Sequence, residues 1–380
     1  MWSARGFGLV ELMIAVVLGM MSTIIIFQVF ATFEGRQRTT TSQMNATESG
    51  LMGLLAIERE ARHAGHGLVG FGRGSERQII CRNVNRYQGG GLVTEALMPA
   101  RLIDGGAGQP DAVEISYGTS VFAATPARLV VDAVNSDPAA ELVVANAARG
   151  EMFAAGDAIL VSEPAIPTKP CTLLRVTGQT PDVAGIRLAH ASTNVWNPPT
   201  GTNIFPVAPT LGYRTTTSNP ALVVNVGTFM RSLYRINGEQ LELVDLLSGA
   251  VQTVADDIVS MQAQYGITSS ALSQDIAAWV NPTGAWAAPA ASDVARIKAI
   301  RVAVVARSSQ PEREDVTAAT CVTRGGTTST GPCAWIDDTP ASPAPTMDLA
   351  SFDPDWRRFR YRVYETVVPL RNVIWGDVNQ

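Results

Sequence analysis

From Leu12 to Phe33 the chain runs through 22 residues without a charge, broken only by Gly19, Ser22, Thr23, Gln28 and Thr32. As a helix at about 1.5 Å per residue, this stretch matches a hydrocarbon core of about 30 Å. It is apolar on every side, whereas a helix on the surface of a soluble core is apolar on one. A secretory signal fits poorly. Such signals carry a basic start, an apolar core of about 7–15 residues and a small-x-small cleavage site. Here Arg5 is the one basic side chain ahead of the run, the run is longer, and at its end stands Ala-Thr-Phe-Glu-Gly-Arg. A plain signal anchor explains the length but not Glu11, at the front of the run. An unpaired charge inside a membrane costs several kcal/mol. The helix macrodipole returns only about 0.3–1 kcal/mol near the N-terminus.

The surrounding residues offer a reason for the carboxylate. Arg5-Gly6-Phe7-Gly8-Leu9-Val10-Glu11-Leu12 resembles the processing site of type IV prepilins. In that family a short basic leader ends in glycine, phenylalanine opens the mature chain, and glutamate stands at its fifth position. The resemblance implies cleavage between Gly6 and Phe7 and N-methylation of Phe7, which keeps its positive charge. Cutting there places an ammonium group about one helical turn from Glu11. In a staggered bundle the Glu11 carboxylate of an incoming subunit then pairs with a neighbour's amine. In a medium of low dielectric, that pairing sets the register between subunits. The expected organisation is a leader over 1–6, a membrane and assembly half-helix over 7–33, an amphipathic half over 34–65, and a β-rich domain over 75–380.

The soluble half of the helix is read from Glu34 to Ala64, which contain no proline. Met44, Thr47, Leu51, Leu54 or Leu55 and Glu58 recur there at spacings of three and four, and Gly65 closes the helix. Gly65–Gly74 contains a literal GxGxxG, but a dinucleotide loop needs a strand before it and a helix after it. A flexible exit from the helix is the reading. His63 and His66 stand three apart with no carboxylate or cysteine pattern to complete a metal site, and read as helix-end histidines.

Beyond residue 79 the texture is short β-type runs between turn residues: DAVEISYGT, ARLVVDAV, DAILVSE, CTLLRVTG and ALVVNVGT. RSLYRINGEQLELVD predicts a hairpin with Asn237-Gly238 as a type I′ turn. VADDIVSMQAQYGI has helical spacing at first and then reads as a strand. RIKAIRVAVVARS and RFRYRVYETVVPLRN predict long alternating strands whose polar faces carry arginine. The fold class expected is α+β: a long N-terminal helix, half of it transmembrane, followed by a large β-rich domain.

Other chemistry is sparse. A net charge of −5, with no basic cluster, gives no electrostatic case for nucleic acid. Three histidines, no nucleophile elbow and no phosphate loop leave no catalytic constellation, so no enzyme and no cofactor is expected. Cys81, Cys171, Cys321 and Cys333 form no CxxC pair. An even count in an exported chain favours disulfides over free buried thiols. Three pairings are open. A bond from Cys321 to Cys333 closes a short Gly/Thr-rich loop and is favoured, which leaves Cys81 with Cys171. Between Gln310 and Trp356 lie Asp337, Asp338, Asp348, Asp353 and Asp355. Calcium is conceivable there, but no Asp-x-Asp-x-Asp-Gly spacing supports it, and a solvated loop is the reading.

AIEREARHAGHG, DDIVSMQAQYGI, IKAIRVAVVARSS and YRVYETVVPLRN occur in that order. Together they are similar to PilW-type minor pilins of the type IV pilus, relatives of the J-type pseudopilins of type II secretion. The resemblance implies partners: other minor pilins and the major pilin, the prepilin peptidase/N-methyltransferase, and the inner membrane. It places the chain as a single-pass inner-membrane protein with a periplasmic domain, then as part of a priming or tip complex of the surface pilus. Two alternatives stay open: a J-like secretion pseudopilin, or a tip adhesin. Trp196, Trp279, Trp286 and Trp335 would suit the adhesin if they were exposed.

Overall fold

The computed structural model describes residues 8–68, 81, 83–123, 125–145, 152–166, 168–192, 196–215 and 220–374. Helix α1 (Leu9–Ala61) has 53 residues and, at 1.5 Å per residue, is about 80 Å long. It opens at Gly8 in extended conformation. Past Ala61 the chain turns. Gly65 and Gly67 take φ of 80° and 73° there, a region open to glycine at little cost. The Gly65 N–H donates to the carbonyl of Ser116, and the Gly118 N–H donates to the carbonyl of His66. The helix exit is thereby stitched to the first sheet.

The strands follow in order. They begin with β1 (Asn83–Gln88), β2 (Gly91–Ala96), β3 (Ala100–Ile103), β4 (Ala112–Gly118), β5 (Ala127–Arg128) and β6 (Leu142–Ala145). Then come β7 (Ala158–Ser162), β8 (Cys171–Arg175), β9 (Gly178–Asp182), β10 (Gly185–Ala189) and β11 (Leu222–Gly227). Next are β12 (Phe229–Asn237), β13 (Gln240–Asp245), β14 (Val251–Asp256), β15 (Ile258–Thr268) and β16 (Ile276–Val280). Last are β17 (Ile297–Arg307), β18 (Thr320–Val322), β19 (Thr328–Thr330) and β20 (Tyr361–Pro369). The α+β class expected from the sequence is what the chain forms.

Two sheets carry α1. One has the order β14-β13-β12-β4-β3 and the other β16-β15-β17-β20. Their shared core holds Leu54, Ile57 and Ala61 of the helix with Ile115, Leu241, Met261, Tyr265, Ile300, Val302 and Val304. The β-branched run of β17 favours a pleated, buried strand, and every residue of β17 is buried. A second lobe is built from a six-stranded sheet, β2-β1-β8-β7-β11-β5, and a three-stranded sheet, β6-β10-β9. Its main core includes Ile159, Val161, Leu174, Leu188, Phe205 and Tyr213. The Cys81–Cys171 disulfide, Cα–Cα 5.6 Å, lies in a smaller cluster beside it. The Cys321–Cys333 disulfide, Cα–Cα 5.7 Å, sits in the segment between β17 and β20.

Four readings change. The hairpin turn is Gly238-Glu239, not Asn237-Gly238, because Asn237 pairs with Gln240. Gly238 alone carries positive φ, 60°, the pattern of a II′ turn. Asn237 instead stays in the strand and donates its side-chain N–H to Glu242 Oε1 at 2.8 Å. VADDIVSMQAQYGI contains no helix: its start is in β14, and Asp257, at φ 59°, breaks it from β15. The arginine faces of β17 are not solvated. Arg301 is 7% exposed, its guanidinium 4.9 Å from the Trp279 ring and 4.2 Å from that of Trp335. Burial pulls its pKa down to about 10, although the charges of Glu365 and Asp338 oppose the shift. Arg307 is also buried, paired with Glu239 and Asp353 and stacked on Phe359.

The cover over that face is the segment between β17 and β20, so the solvated-loop reading fails as well. Ala334, Met347, Leu349 and Trp356 pack on Val259, Ala303 and Val305. The Asp338 carboxylate is consumed as a loop staple. It accepts hydrogen bonds from the N–H groups of Gly325 and Ala344. Asp348 likewise accepts from Thr330 and Ala350, and Asp337 pairs with Arg324. Asp111 pins another loop to β15. Its carboxylate accepts from the N–H groups of Ala263 and Gly105, and burial pushes its pKa up to about 7.

Candidate assembly surface

Among the described residues, the N-terminal half of α1 packs against no other element of the chain. Leu9, Leu12, Ile14, Leu18, Ile25, Phe27 and Phe33 are all exposed, and none of its most apolar window is buried. Such a surface on a lone helix needs another apolar phase or other helices around it. The polar side chains in this stretch are handled locally. Ser22, Thr23 and Thr32 each donate to the carbonyl four residues back, at 2.9, 2.7 and 2.8 Å. Each hydroxyl is thereby satisfied within the helix itself.

Glu11 stands on the same exposed helix. Its Oε2 accepts a hydrogen bond from the Gly8 N–H at 3.2 Å, the ordinary service of an acid at a helix start. Among the described residues it has no cationic partner. Gly6 and Phe7 lie outside the described residues.

The soluble half is docked through a stripe that the sequence pattern did not single out. Its buried residues include Ser42, Ala46, Gly50, Gly53, Leu54, Ile57, Ala61 and Ala64. Most are small, which lets the helix backbone come close to the sheets. Of the side chains expected on this face, Met44, Leu51 and Leu55 are exposed, and only Leu54 is buried. The i, i+4, i+7 spacing of Ala46, Gly50 and Gly53 was the available signal.

Polar ties flank the stripe. Thr39 donates to Glu312 at 3.2 Å, and the Ser42 and Ser309 hydroxyls lie 3.2 Å apart. Thr366 donates to Glu58, and the Tyr234 hydroxyl donates to Glu60. Burial and the adjacent Glu60 push Tyr117 up to about 12. Asn372 donates to the carbonyls of His63 and Ala64 and so closes the helix end. The C-terminal half of α1 is therefore a docked stem, with Met44, Leu51, Met52 and Leu55 left outward.

The remaining candidates resolve into structural roles. His63 Nδ1 lies 3.0 Å from the Arg59 carbonyl and His66 Nε2 lies 2.9 Å from that of Ser120, so each ring serves its own backbone contact. His190 is buried, which holds its pKa below the ordinary value. Gly65 and Gly67 make the helix exit turn, and residues 69–80 lie outside the described residues. Among the described residues no three His, Cys, Asp or Glu side chains gather into a metal-binding group. Trp196 is buried under Arg175, Trp279 and Trp335 hold Arg301, and Trp286 packs beside Tyr265. None of the four forms an exposed aromatic surface. All four cysteines are in disulfides.

Residues 221–372 match the family model for PilW, described as Type IV Pilus-assembly protein W. The matched segment runs from the start of β11 to just past the end of β20 and includes most of the strands on which α1 is docked. The PilW-type resemblance read from the sequence holds over this part. Among solved structures, the chain is similar to a type IV-like pilin from Thermus thermophilus, at 8% identity and a TM-score of 0.28. That alignment covers 73% of this chain and 85% of the other. No curated protein matches the chain.

Proposed function

We propose that this PilW-type chain is a minor pilin that takes part in assembling a type IV pilus, held by α1 and used in few copies at the priming or tip complex. One observation carries the reading: a single helix whose outer half is wholly exposed and apolar, and whose other half is fused to strands of the PilW match. The apolar half sits in the inner membrane, with the β domain in the periplasm, before passing with the other pilins into the fibre. Residues 1–6 are the leader, residues 7–33 the membrane and assembly half, residues 34–65 the stem and residues 75–380 the head. The prepilin peptidase/N-methyltransferase cuts between Gly6 and Phe7 and methylates Phe7.

Glu11 then finds its partner in the amine of a neighbouring subunit. Among the described residues Glu11 accepts only from the Gly8 N–H, which leaves lone pairs for a cation from another subunit. The large head argues for few copies, since helices in a bundle pack at about 8–10 Å and many such heads would crowd. The role is structural, without catalysis.

The test is Glu11→Ala. Leader removal should be retained, while recovery in sheared fibres should fall at least tenfold. Undiminished recovery would refute the pairing. Recovery of this chain as the most abundant fibre protein would refute the minor role. Loss of exoprotein release with piliation intact would instead support the secretion pseudopilus.

A further inference from the structure

The helix-facing side of β20 changes character along its length. Thr366 reaches Glu58, and the ring of Tyr364 covers Gly50. Two residues earlier, Arg362 lines an open cleft of about 200 Å³ against Gln43 and Ala46 of α1. Ser308, Thr317 and Arg360 also line it. Arg360 spends its Nε–H on Glu312, at 3.0 Å. Arg362 is exposed, and its guanidinium has no hydrogen bond or ion pair among the described residues. Elsewhere the fold pairs or stacks the arginines it brings against the core: Arg231 with Glu114 and Glu95, Arg307 with Asp353, Arg301 between tryptophans. At the cleft a guanidinium with a fork of donors is left open.

We propose that this cleft takes a carboxylate, an Asp or Glu side chain of a neighbouring pilin subunit, held by the Arg362 guanidinium with Arg360 beside it. The proposal rests on the pilin reading, because it needs α1 to stand among other helices. Arginine is suited to a carboxylate, which it binds through two parallel N–H donors. Position decides against the other anion at hand, a lipid phosphate. Gln43 lies ten residues beyond Phe33, about 15 Å along the helix. The polar layer of one leaflet is only about 5–7 Å deep. With the charge-free run in hydrocarbon, the cleft stands clear of the headgroups. It lies beside the outward Met44, on the stretch of stem that a neighbouring subunit would flank.

The chain itself supplies a clean test. Its two lysines, Lys169 and Lys298, are 4% and 3% exposed. In the full-length chain expressed in piliated cells, Arg362→Lys puts one reactive amine in the cleft. A water-soluble carbodiimide activates a carboxylate, and the amine displaces the urea to leave an amide, with net loss of water. The expected result is a coupling specific to Arg362→Lys, mapped by mass spectrometry to an Asp or Glu of another pilin. Arg362→Glu should cut recovery in sheared fibres at least tenfold at an unchanged denaturation midpoint, while Arg362→Lys retains recovery. Absence of the coupling, coupling only within the same chain, or full recovery of Arg362→Glu would overturn the proposal. Flotation with phosphatidylglycerol vesicles that depends on Arg362, and is absent with phosphatidylcholine, would overturn it in favour of lipid. If the unmodified chain never enters fibres, the pilin reading itself fails. Loss confined to the Arg362 variants leaves that reading standing.

Discussion

Replacing Gly50 by alanine tests how α1 is seated on its domain. A Cβ at Gly50 would lie 2.2 and 2.4 Å from two ring carbons of Tyr364 and 3.2 Å from the Ala306 Cβ. An ordinary contact is about 3.5–4 Å, so the ring or the helix must shift by more than 1 Å. Overpacking of that kind costs about 1–3 kcal/mol. Against it stands a helix-propensity gain of about 1 kcal/mol for Ala over Gly. The net expectation is a loss of about 1 kcal/mol. Gly53 is the internal control. There the nearest atom to a new Cβ is the terminal Leu241 Cδ2 at 2.9 Å, on a side chain that can turn aside. Gly53→Ala should be neutral or gain up to about 1 kcal/mol. Denaturant titration of the full chain in detergent, followed by tryptophan fluorescence, should thus separate the two variants by about 1–2 kcal/mol. Adding Tyr364→Ala should erase the penalty of Gly50→Ala, a coupling that a double-mutant cycle reads directly. If Gly50→Ala is as stable as Gly53→Ala, the helix is not seated on β20 as described.

Two further outcomes follow from the same structure. Removing Cys81–Cys171, which spans 90 residues, should cost roughly 4–5 kcal/mol, against roughly 3 kcal/mol for Cys321–Cys333 across 12; equal shifts in denaturation midpoint would argue against this loop-entropy account. Asp111 keeps its proton up to about pH 7 in the folded chain, whereas its ordinary value is 3.8. The associated stabilisation is complete below about pH 4 and is lost as the pH rises to about 7. Asp111→Asn should flatten that part of the stability profile, and an unchanged slope would remove Asp111 as its source.

The long helix was legible because 22 charge-free residues admit few folds, and Glu11 stood out against them. The strand runs were legible from β-branched clusters with turn residues between them. The docking face of the stem was not. Periodicity scoring looks for large apolar side chains, and in this helix Met44, Leu51 and Leu55 face outward while Ala46, Gly50 and Gly53 face the core. Close approach of a helix to a sheet selects small residues, which carry little hydropathy signal. The hairpin register slipped by one because Asn-Gly reads as a turn pair, yet the Asn237 side chain is held within the hairpin by Glu242. Arg301 and Arg307 looked solvent-facing because their cover comes from a Gly/Pro-rich segment with almost no strand character of its own. Arg362 carried no signal at all: only the fold shows that its neighbours on the strand are engaged while it is not.

The central claim is that this chain is a processed pilin, and its N-terminus is where that claim is most exposed. The chain extracted from membranes should be digested and its N-terminal peptide read by mass spectrometry. The account predicts a peptide that starts at Phe7, with the Phe7 amine methylated, and contains Glu11 intact. A chain that retains residues 1–6, or one cut at a small residue beyond Phe33, would contradict it.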